Sequence, residues 1–420
     1  MIRRREFIGG AAAAAATVGV AASPAERIRR VEGAKEIGRP LARWRKGEFD
    51  IHFICTGLGE CGFYILPDGT TWLNDCGDYR YSGKHVPVVP SDARTAGDWV
   101  TRYIHRVSDG DVLDYLTISH WHTDHAGAAG RNGLKTPDGR MVTGAAQVAE
   151  NFTVGRYFDF EWPLAKKYKG GDASMPMMRG YVDYAVKNRG LKVEQFRVGA
   201  LDQIRPVRDP SGRWAKMFHV RNLCANGVAW TGEGEGTRDF AANYVKATKT
   251  DSIDVNILSM ALRLSYGPFA FFTGGDVSKW LRDEDGKTVD YEAYVGERCG
   301  PVSVCKTNHH GYVDAMKKGF VAAVRPAAYL SAIWLDRQIA DGNMKFMASR
   351  ELYPGDRFFF ASHIPEGSRR ANAGCAWWKD FAPEGHAVVR VSPGGATYRI
   401  FTLDATNEDM IVTSVFDGVS

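Results

Sequence analysis

The chain has 420 residues, 44% apolar and 25% charged, with 54 basic and 49 acidic side chains. This is a globular composition, long enough to bury a large core without a stapling disulfide or structural metal. It excludes a fibrous or disordered chain, and beyond residue 25 no stretch has the ~20 uninterrupted apolar residues of a membrane span.

Arg3, Arg4 and Arg5 precede an alanine-rich, weakly apolar run from Gly9 to Ala22, and Ser23-Pro24-Ala25 follows with small residues. Residues 1–25 resemble a twin-arginine export signal, with an ordinary secretory signal or an anchor helix as alternatives. The resemblance implies a periplasmic or secreted protein that crosses the membrane already folded and keeps no membrane attachment after cleavage. Removing the three arginines and one glutamate of this segment leaves a net charge of +3. No strong nucleic-acid signal remains, because phosphate binding needs clustered Lys and Arg. Residues 26–47 hold the single basic cluster, Arg27, Arg29, Arg30, Lys35, Arg39, Arg43, Arg45 and Lys46, and read as a solvated linker.

From residue 48 short strands dominate. Phe49–Ile54 alternates, Gly57 and Gly59 turn the chain, Gly62–Leu66 runs back, and Thr70–Asp75 follows the Pro67-Asp68-Gly69 turn. A helix is expected from about Ala93 to Val107, then a strand over Val112–Ser119. The middle, about 126–250, is the least regular part and reads as a large insertion with one helix near 176–188. Its aromatic residues (Tyr157, Phe158, Phe160, Trp162, Tyr168, Trp214, Trp230) suit core or lid packing, or stacking on a base or a choline-like cation. Strands resume over Leu258–Leu264, Phe269–Phe272 and Val302–Lys306. Segments 327–332 and 357–361 flank a helix near 343–353, and a hairpin pairs 386–391 with 396–403. Strands and helices mixed in this way predict an α/β fold with two sheets between helices. Seven cysteines without CxxC spacing argue against a zinc ribbon. Cys55, Cys61 and Cys76 fall in expected neighbouring strands, so a disulfide and buried free thiols are both open.

The chemistry gathers at strand ends. His120-Trp121-His122-Thr123-Asp124-His125 follows one strand with three imidazoles and a carboxylate, the ligand types Zn²⁺ and similar ions prefer. Asp75 ends a second strand, Gly274-Gly275-Asp276 a third, and Asn308-His309-His310-Gly311 a fourth. Alone, each has a plainer reading as a turn or surface residue; together they predict a binuclear metal site.

HxHxDH at 120–125, Asp75 in D-x-G, Gly275-Asp276 and His-His-Gly at 309–311 resemble the metallo-β-lactamase superfamily. The opening Ile51-His52-Phe53-Ile54-Cys55-Thr56-Gly57-Leu58-Gly59-Glu60 is similar to the branch containing ComEC-type hydrolase domains and bacterial phosphorylcholine esterases. The resemblance covers residues 48–140 and 252–335. It implies a metallo-β-lactamase-type αββα sandwich over residues 48–420, with the 126–250 segment inserted. It also implies two divalent ions, zinc first and manganese or iron as alternatives. His120 and His122 would hold one ion; Asp124, His125 and either His309 or His310 the other; Asp276 would bridge. Asp75 would orient a ligand by hydrogen bonding, and a hydroxide bridged between the metals would attack the substrate, with Asp124 at the reacting centre.

The chain departs from the family at three points. Glu60 and Cys76 replace an aspartate and an alanine, and the usual third histidine of the first metal is missing. Asp254 and Asn256 stand there instead, and His219 lies much further upstream. The branch leans toward phosphoric (di)esters as substrates. The alternatives are a lactam or lactone hydrolase, and a non-catalytic binding protein on a degraded metal site. A di-iron oxidoreductase is disfavoured because it usually carries Glu where His122 stands. Oligomeric state is not legible.

Overall fold

The computed structural model describes residues 27–79, 87–127, 133–161, 174–250, 253–278 and 280–420. The signal-like residues 1–25, and Trp162 and Tyr168 of the middle segment, lie outside these.

Two sheets form the body. The first has ten strands, in the order Ile28–Arg30, Val412–Val419, Thr397–Leu403, His386–Val391, Phe49–Phe53, Cys61–Ile65, Thr71–Cys76, Val112–Thr117, Thr153–Asp159 and Lys192–Gln195. The second has eight: Thr237–Asp239, Val228–Trp230, Phe218–Ala225, Ala261–Tyr266, Phe269–Thr273, Val304–Lys306, Ala328–Ser331 and Phe358–Ala361. Their inner faces meet through aromatic rings. Phe49 lies 5.0 Å from Phe218 and 6.2 Å from Phe269, Tyr64 lies 6.1 Å from Phe271, and Phe269 lies 5.3 Å from Tyr398. Edge-to-face packing of this kind fills the seam between sheets.

Strand alternation sends the next side chains to the helix layers. Phe272 meets Phe320 of the helix Lys318–Val324 at 5.1 Å. On the opposite side His52 Nδ1 lies 3.0 Å from the Tyr103 hydroxyl, on the helix Ala96–Val107. Helices outside and sheets inside make an αββα sandwich.

The structure differs from the sequence reading in several places. The segment 26–47 is no free linker. Ile28–Arg30 pairs antiparallel with Gly418–Phe416, and Arg27 donates to the Arg325 and Val302 carbonyls. The middle segment does more than decorate the core: Thr153–Asp159 and Lys192–Gln195 extend the first sheet, and Phe218–Ala225 pairs with Ala261–Tyr266 in the second. Tyr157, Phe158 and Phe160 are buried in the core. The strand expected from Leu258 starts at Ala261, because Asp254 accepts the Asn256 N–H and pins Val255–Leu258 into a 3₁₀ turn. The helix expected near 343–353 is Asp341–Met347. The helix expected from Ala93 begins at Ala96, where Thr95 caps it by accepting the Asp98 N–H. The strand Val412–Val419 was not foreseen. All seven cysteines are free, Cys61 and Cys76 among them although they face each other across paired strands.

Two polar contacts are buried on the helix-facing side of the first sheet. Arg390 Nη2 meets Asp50 Oδ2 at 2.6 Å, and His386 Nδ1 accepts the Cys55 N–H at 3.0 Å. Burial lowers the His386 pKa to about 4. Below the ordinary value near 6.5 the unfolded chain takes up a proton that the fold refuses, so this group's contribution is lost as pH falls from there toward 4. His386 should therefore cost on the order of 3 kcal/mol at pH 4 relative to pH 7. Urea unfolding across this range should show a flatter pH dependence for His386→Gln than for the parent; equal slopes would refute the assignment.

Candidate metal centre

The site lies at the carboxyl ends of parallel strands. Thr71–Cys76 and Val112–Thr117 run parallel in the first sheet, and Phe269–Thr273 and Val304–Lys306 run parallel in the second. Chains leaving such ends converge on one crevice. Here they bring Asp75, residues 119–125, Asp276 and residues 308–311 to the seam. The Met260 N–H to Ser119 carbonyl bond, 2.9 Å, joins the two sides.

Close approach of the 120–125 turn depends on two glycines. A Cβ on Gly59 or Gly77 would lie 2.2 or 2.1 Å from the Asp124 carbonyl oxygen. Their absence lets the Glu60 N–H reach that oxygen at 2.8 Å, and the Asp78 N–H reach Thr123 O at 2.9 Å.

The side chains fall into two groups around Asp276. His125 Nε2 and His310 Nε2 are 3.0 Å apart, and each is 3.2 Å from Asp276 Oδ1. Asp124 Oδ2 lies 3.4 Å from His310 Nε2, and Glu60 is the fourth residue whose ligand atom lies within 4.8 Å of those of His125, His310 and Asp276. On the other side His120 Nε2 is 3.0 Å from His122 Nδ1 and 3.7 Å from Asp276 Oδ2. Asp276 thus turns one oxygen to each group. Two nitrogens bound to one zinc at about 2.0–2.1 Å stand roughly 3–3.4 Å apart. Imidazole pairs at this separation, with Asp276 Oδ1 buried and lacking a hydrogen-bond partner, fit a divalent ion on each side.

Orientation comes from behind. His125 Nδ1 donates to Asp75 Oδ2 at 2.9 Å, which leaves the Nε2 lone pair facing the cluster. The Ser119 N–H donates to Asp75 Oδ1 at 2.6 Å. Asp75 itself adopts a left-handed φ of 61°, which short polar residues tolerate best. Ser119 Oγ lies 3.1 Å from His120 Nδ1.

Charge in the cluster is tightly coupled. Burial pushes the Asp276 carboxyl up, but His310, His125 and His309 beside it outweigh that and hold it well below the usual range. Burial opposes a proton on His125, yet Asp276, Asp75 and Asp124 raise its pKa well above the ordinary value. Asp124 titrates at about 2; burial is overcome by its hydrogen bond to His310 and the charge of His125.

Three further residues were missed as site members. Lys306 Nζ is buried 2.5 Å from Glu60 Oε2 and 3.7 Å from Asp276 Oδ1. Glu60, noted only as a departure from the family pattern, is the long-chain partner of this cation. The signal was the lysine three residues before His309. Glu292 anchors the histidine turn: it accepts from Asn308 Nδ2 at 3.0 Å, Met316 N at 2.7 Å and Lys317 N at 3.0 Å. Burial nevertheless pushes its carboxyl up to about 8.

Of the doubtful ligands, Asp254 is exposed and caps its own turn, outside the cluster. Asn256 Nδ2 lies 3.2 Å from His309 Nε2, and His309 Nε2 lies 3.8 Å from Asp276 Oδ2. Both histidines of the pair therefore approach Asp276.

No protein-family model matches the chain, and no curated protein matches it. Among solved structures it is similar to CmlA, a diiron β-hydroxylase from Streptomyces venezuelae, at 11% identity and a TM-score of 0.39. That match covers 84% of this chain but 55% of the hydroxylase, so the chain spans just over half of that protein. A putative metal-dependent hydrolase from Parabacteroides distasonis matches at 10% identity over 73% of this chain and 96% of its own, with a TM-score of 0.30. Zn²⁺-bound PqqB from Methylobacterium extorquens matches at 9% identity over 80% and 98%, with a TM-score of 0.36.

Removing the carboxylate behind His125 should weaken metal binding: Asp75→Ala is expected to lower zinc affinity by roughly 10–100-fold in competition with a chromophoric chelator. An unchanged affinity would remove Asp75 from the site. Because His125 holds a proton beside the ionised Asp276 when no cation is bound, zinc binding should also release protons and strengthen as pH rises. Calorimetry in buffers of different ionisation enthalpy reads that release directly.

Proposed function

We propose that the chain is an exported, metal-dependent hydrolase of phosphoric esters, phosphodiesters foremost. The observation that carries this reading is Asp276, whose two oxygens face two separate imidazole groups across the seam. His120 and His122 on one side, and Asp124, His125 and His310 on the other, would hold two divalent ions, zinc first. Such ions supply Lewis acidity and make water nucleophilic near neutral pH.

The protein's own groups do the rest. Asp75 fixes the His125 tautomer. The Asp124 side chain, 16% exposed, is the cluster carboxylate nearest solvent and is placed to take a proton from an entering water. With two divalent ions present, their charge and that of Lys306 exceed the charge of Glu60, Asp75, Asp124 and Asp276. The centre then favours an anionic ester over a neutral lactam or lactone. Aromatic rings flank the histidine turn. Tyr312 lies 4.8 Å from His309, and Trp334 packs edge-on against His310 at 4.5 Å. Burial, Asp124 and Tyr79 raise the Tyr312 pKa to about 12, against the positive charge of Arg337.

Export rests on the arginine-rich start. No helix among the described residues is long and apolar enough to cross a membrane. Arg4→Lys with Arg5→Lys should leave the protein in the cytoplasm; export undiminished would refute the route.

Metal analysis paired with two reporters tests the activity. The metal-loaded protein should hydrolyse bis-p-nitrophenyl phosphate in preference to a chromogenic lactam, and Asp276→Ala should lose both tight metals and on the order of a hundredfold or more of the rate. Preference for the lactam would move the substrate class. Tight metals without turnover of any ester, lactam or lactone would favour a binding protein.

A further inference from the structure

Two carboxylates stand behind the histidines of the Asp124 side, and only Asp75 has a partner among the rings so far. We infer that Glu60 does for His310 what Asp75 does for His125. It receives the Nδ1 proton and so leaves the Nε2 lone pair facing the ion, while Lys306 keeps the carboxylate charged. The inference rests on the metal reading above and deepens it, assigning a positioning residue to a ligand ring that reading leaves without one.

The two nitrogens of His310 meet different surroundings. Nε2 faces the cluster, 3.0 Å from His125 Nε2, 3.2 Å from Asp276 Oδ1 and 3.4 Å from Asp124 Oδ2. Nδ1 is buried and without a hydrogen-bond partner. Among the described residues, three carboxylates come within 4.0 Å of this ring. Asp276 and Asp124 approach Nε2; Glu60 Oε2 approaches Nδ1, at 4.0 Å. A neutral imidazole carries one proton, so an ion that takes Nε2 leaves that proton on Nδ1. Buried there, the N–H needs an acceptor. The gap to Glu60 exceeds a hydrogen bond by about 1 Å. Glu60 has one methylene more than the aspartate of the family pattern, and rotation about that extra bond closes the distance.

The backbone holds both partners. His309 and His310 form a left-handed turn, with φ of 43° and 52°, a conformation that persists only where surroundings impose it. Glu292 grips Asn308 at the head of this turn, and Trp334 packs edge-on against the His310 ring at 4.5 Å. Glu60 is pinned at both sides: its N–H donates to the Asp124 carbonyl and its carbonyl accepts the Gly77 N–H, each at 2.8 Å. It immediately precedes Cys61–Ile65, and Asp75 lies near the end of the antiparallel partner Thr71–Cys76. One hairpin therefore carries both carboxylates, one for each histidine of the same side.

Lys306 completes the arrangement. Its Nζ lies 2.5 Å from Glu60 Oε2 and also donates to the carbonyl of Gly275, next to Asp276. A carboxylate has about four acceptor positions, so the ammonium leaves room for an Nδ1–H. The same contact places Glu60 behind the ligand rather than on the ion. Its oxygen is already held by a cation, and it meets His310 at the nitrogen turned from the cluster.

The test reads protons and metal content rather than turnover. Zinc-loaded protein with isotope-labelled histidine is followed by NMR, the His310 signals being those lost in His310→Gln. In the parent, His310 should bind zinc through Nε2 and show a downfield Nδ1 proton that exchanges slowly. Glu60→Gln should move that proton upfield and leave the His125 proton in place; Asp75→Asn should do the reverse. Competition with a chromophoric chelator should show one zinc held about 10–100-fold more weakly in Glu60→Gln. An Nδ1 proton indifferent to Glu60→Gln would overturn the assignment, even if an ion were lost. So would a parent His310 bound through Nδ1, an outcome that depends on no Glu60 variant folding. A parent that takes up no zinc would instead overturn the metal reading on which this one rests.

Discussion

The carboxylate of Asp276 is buried at the seam of two sheets, and the local structure is organised around that burial. An isolated charge so placed would carry a large desolvation cost. Here the cost is met by imidazoles on both sides and by Lys306 behind Oδ1, while the Asp276 N–H, donating to Ser259 Oγ at 3.1 Å, fixes the backbone that carries the carboxylate. Lys306 in turn needs Glu60, and Glu60 is held by its N–H on the turn that carries Asp124. A single buried charge thus ties together strand ends from both sheets, which explains why residues far apart in the chain behave as one unit.

The arrangement also accounts for the uneven roles of its histidines. His125, His310 and His120 are fully enclosed, whereas His309 is 18% exposed. On the Asp124–His125 side, Asp75 and Ser119 back the His125 ring. On the other side His120 is fully buried and His122 partly exposed.

Much of this was legible before the fold was known, where chemistry and period coincide. The strands 49–53, 61–65, 112–117 and 269–273 alternate or run apolar, and each site strand ends in a ligand-type residue or a glycine. What stayed hidden depended on partners distant in sequence. Glu60 and Lys306 are 246 positions apart and look like ordinary surface charges until the strands bring them within 2.5 Å. The left-handed pair at 309–310 could not be read either, because local propensity gives two consecutive histidines no reason to adopt it. Ile28–Arg30 read as a linker because three residues give too short a pattern, and Val412–Val419 was missed although it pairs along its whole length with Thr397–Leu403.

That first strand has a consequence for where the folded body begins. Val412–Val419 presents a row of backbone donors and acceptors, and Ile28–Arg30 covers part of it. Uncovered, such an edge is a template for strands of other molecules. The described residues begin at Arg27, so this short strand forms the sheet's own margin at the start of the body. Chains shortened to residue 48, where the family-like pattern starts, would expose that margin to self-association while leaving the metal cluster intact.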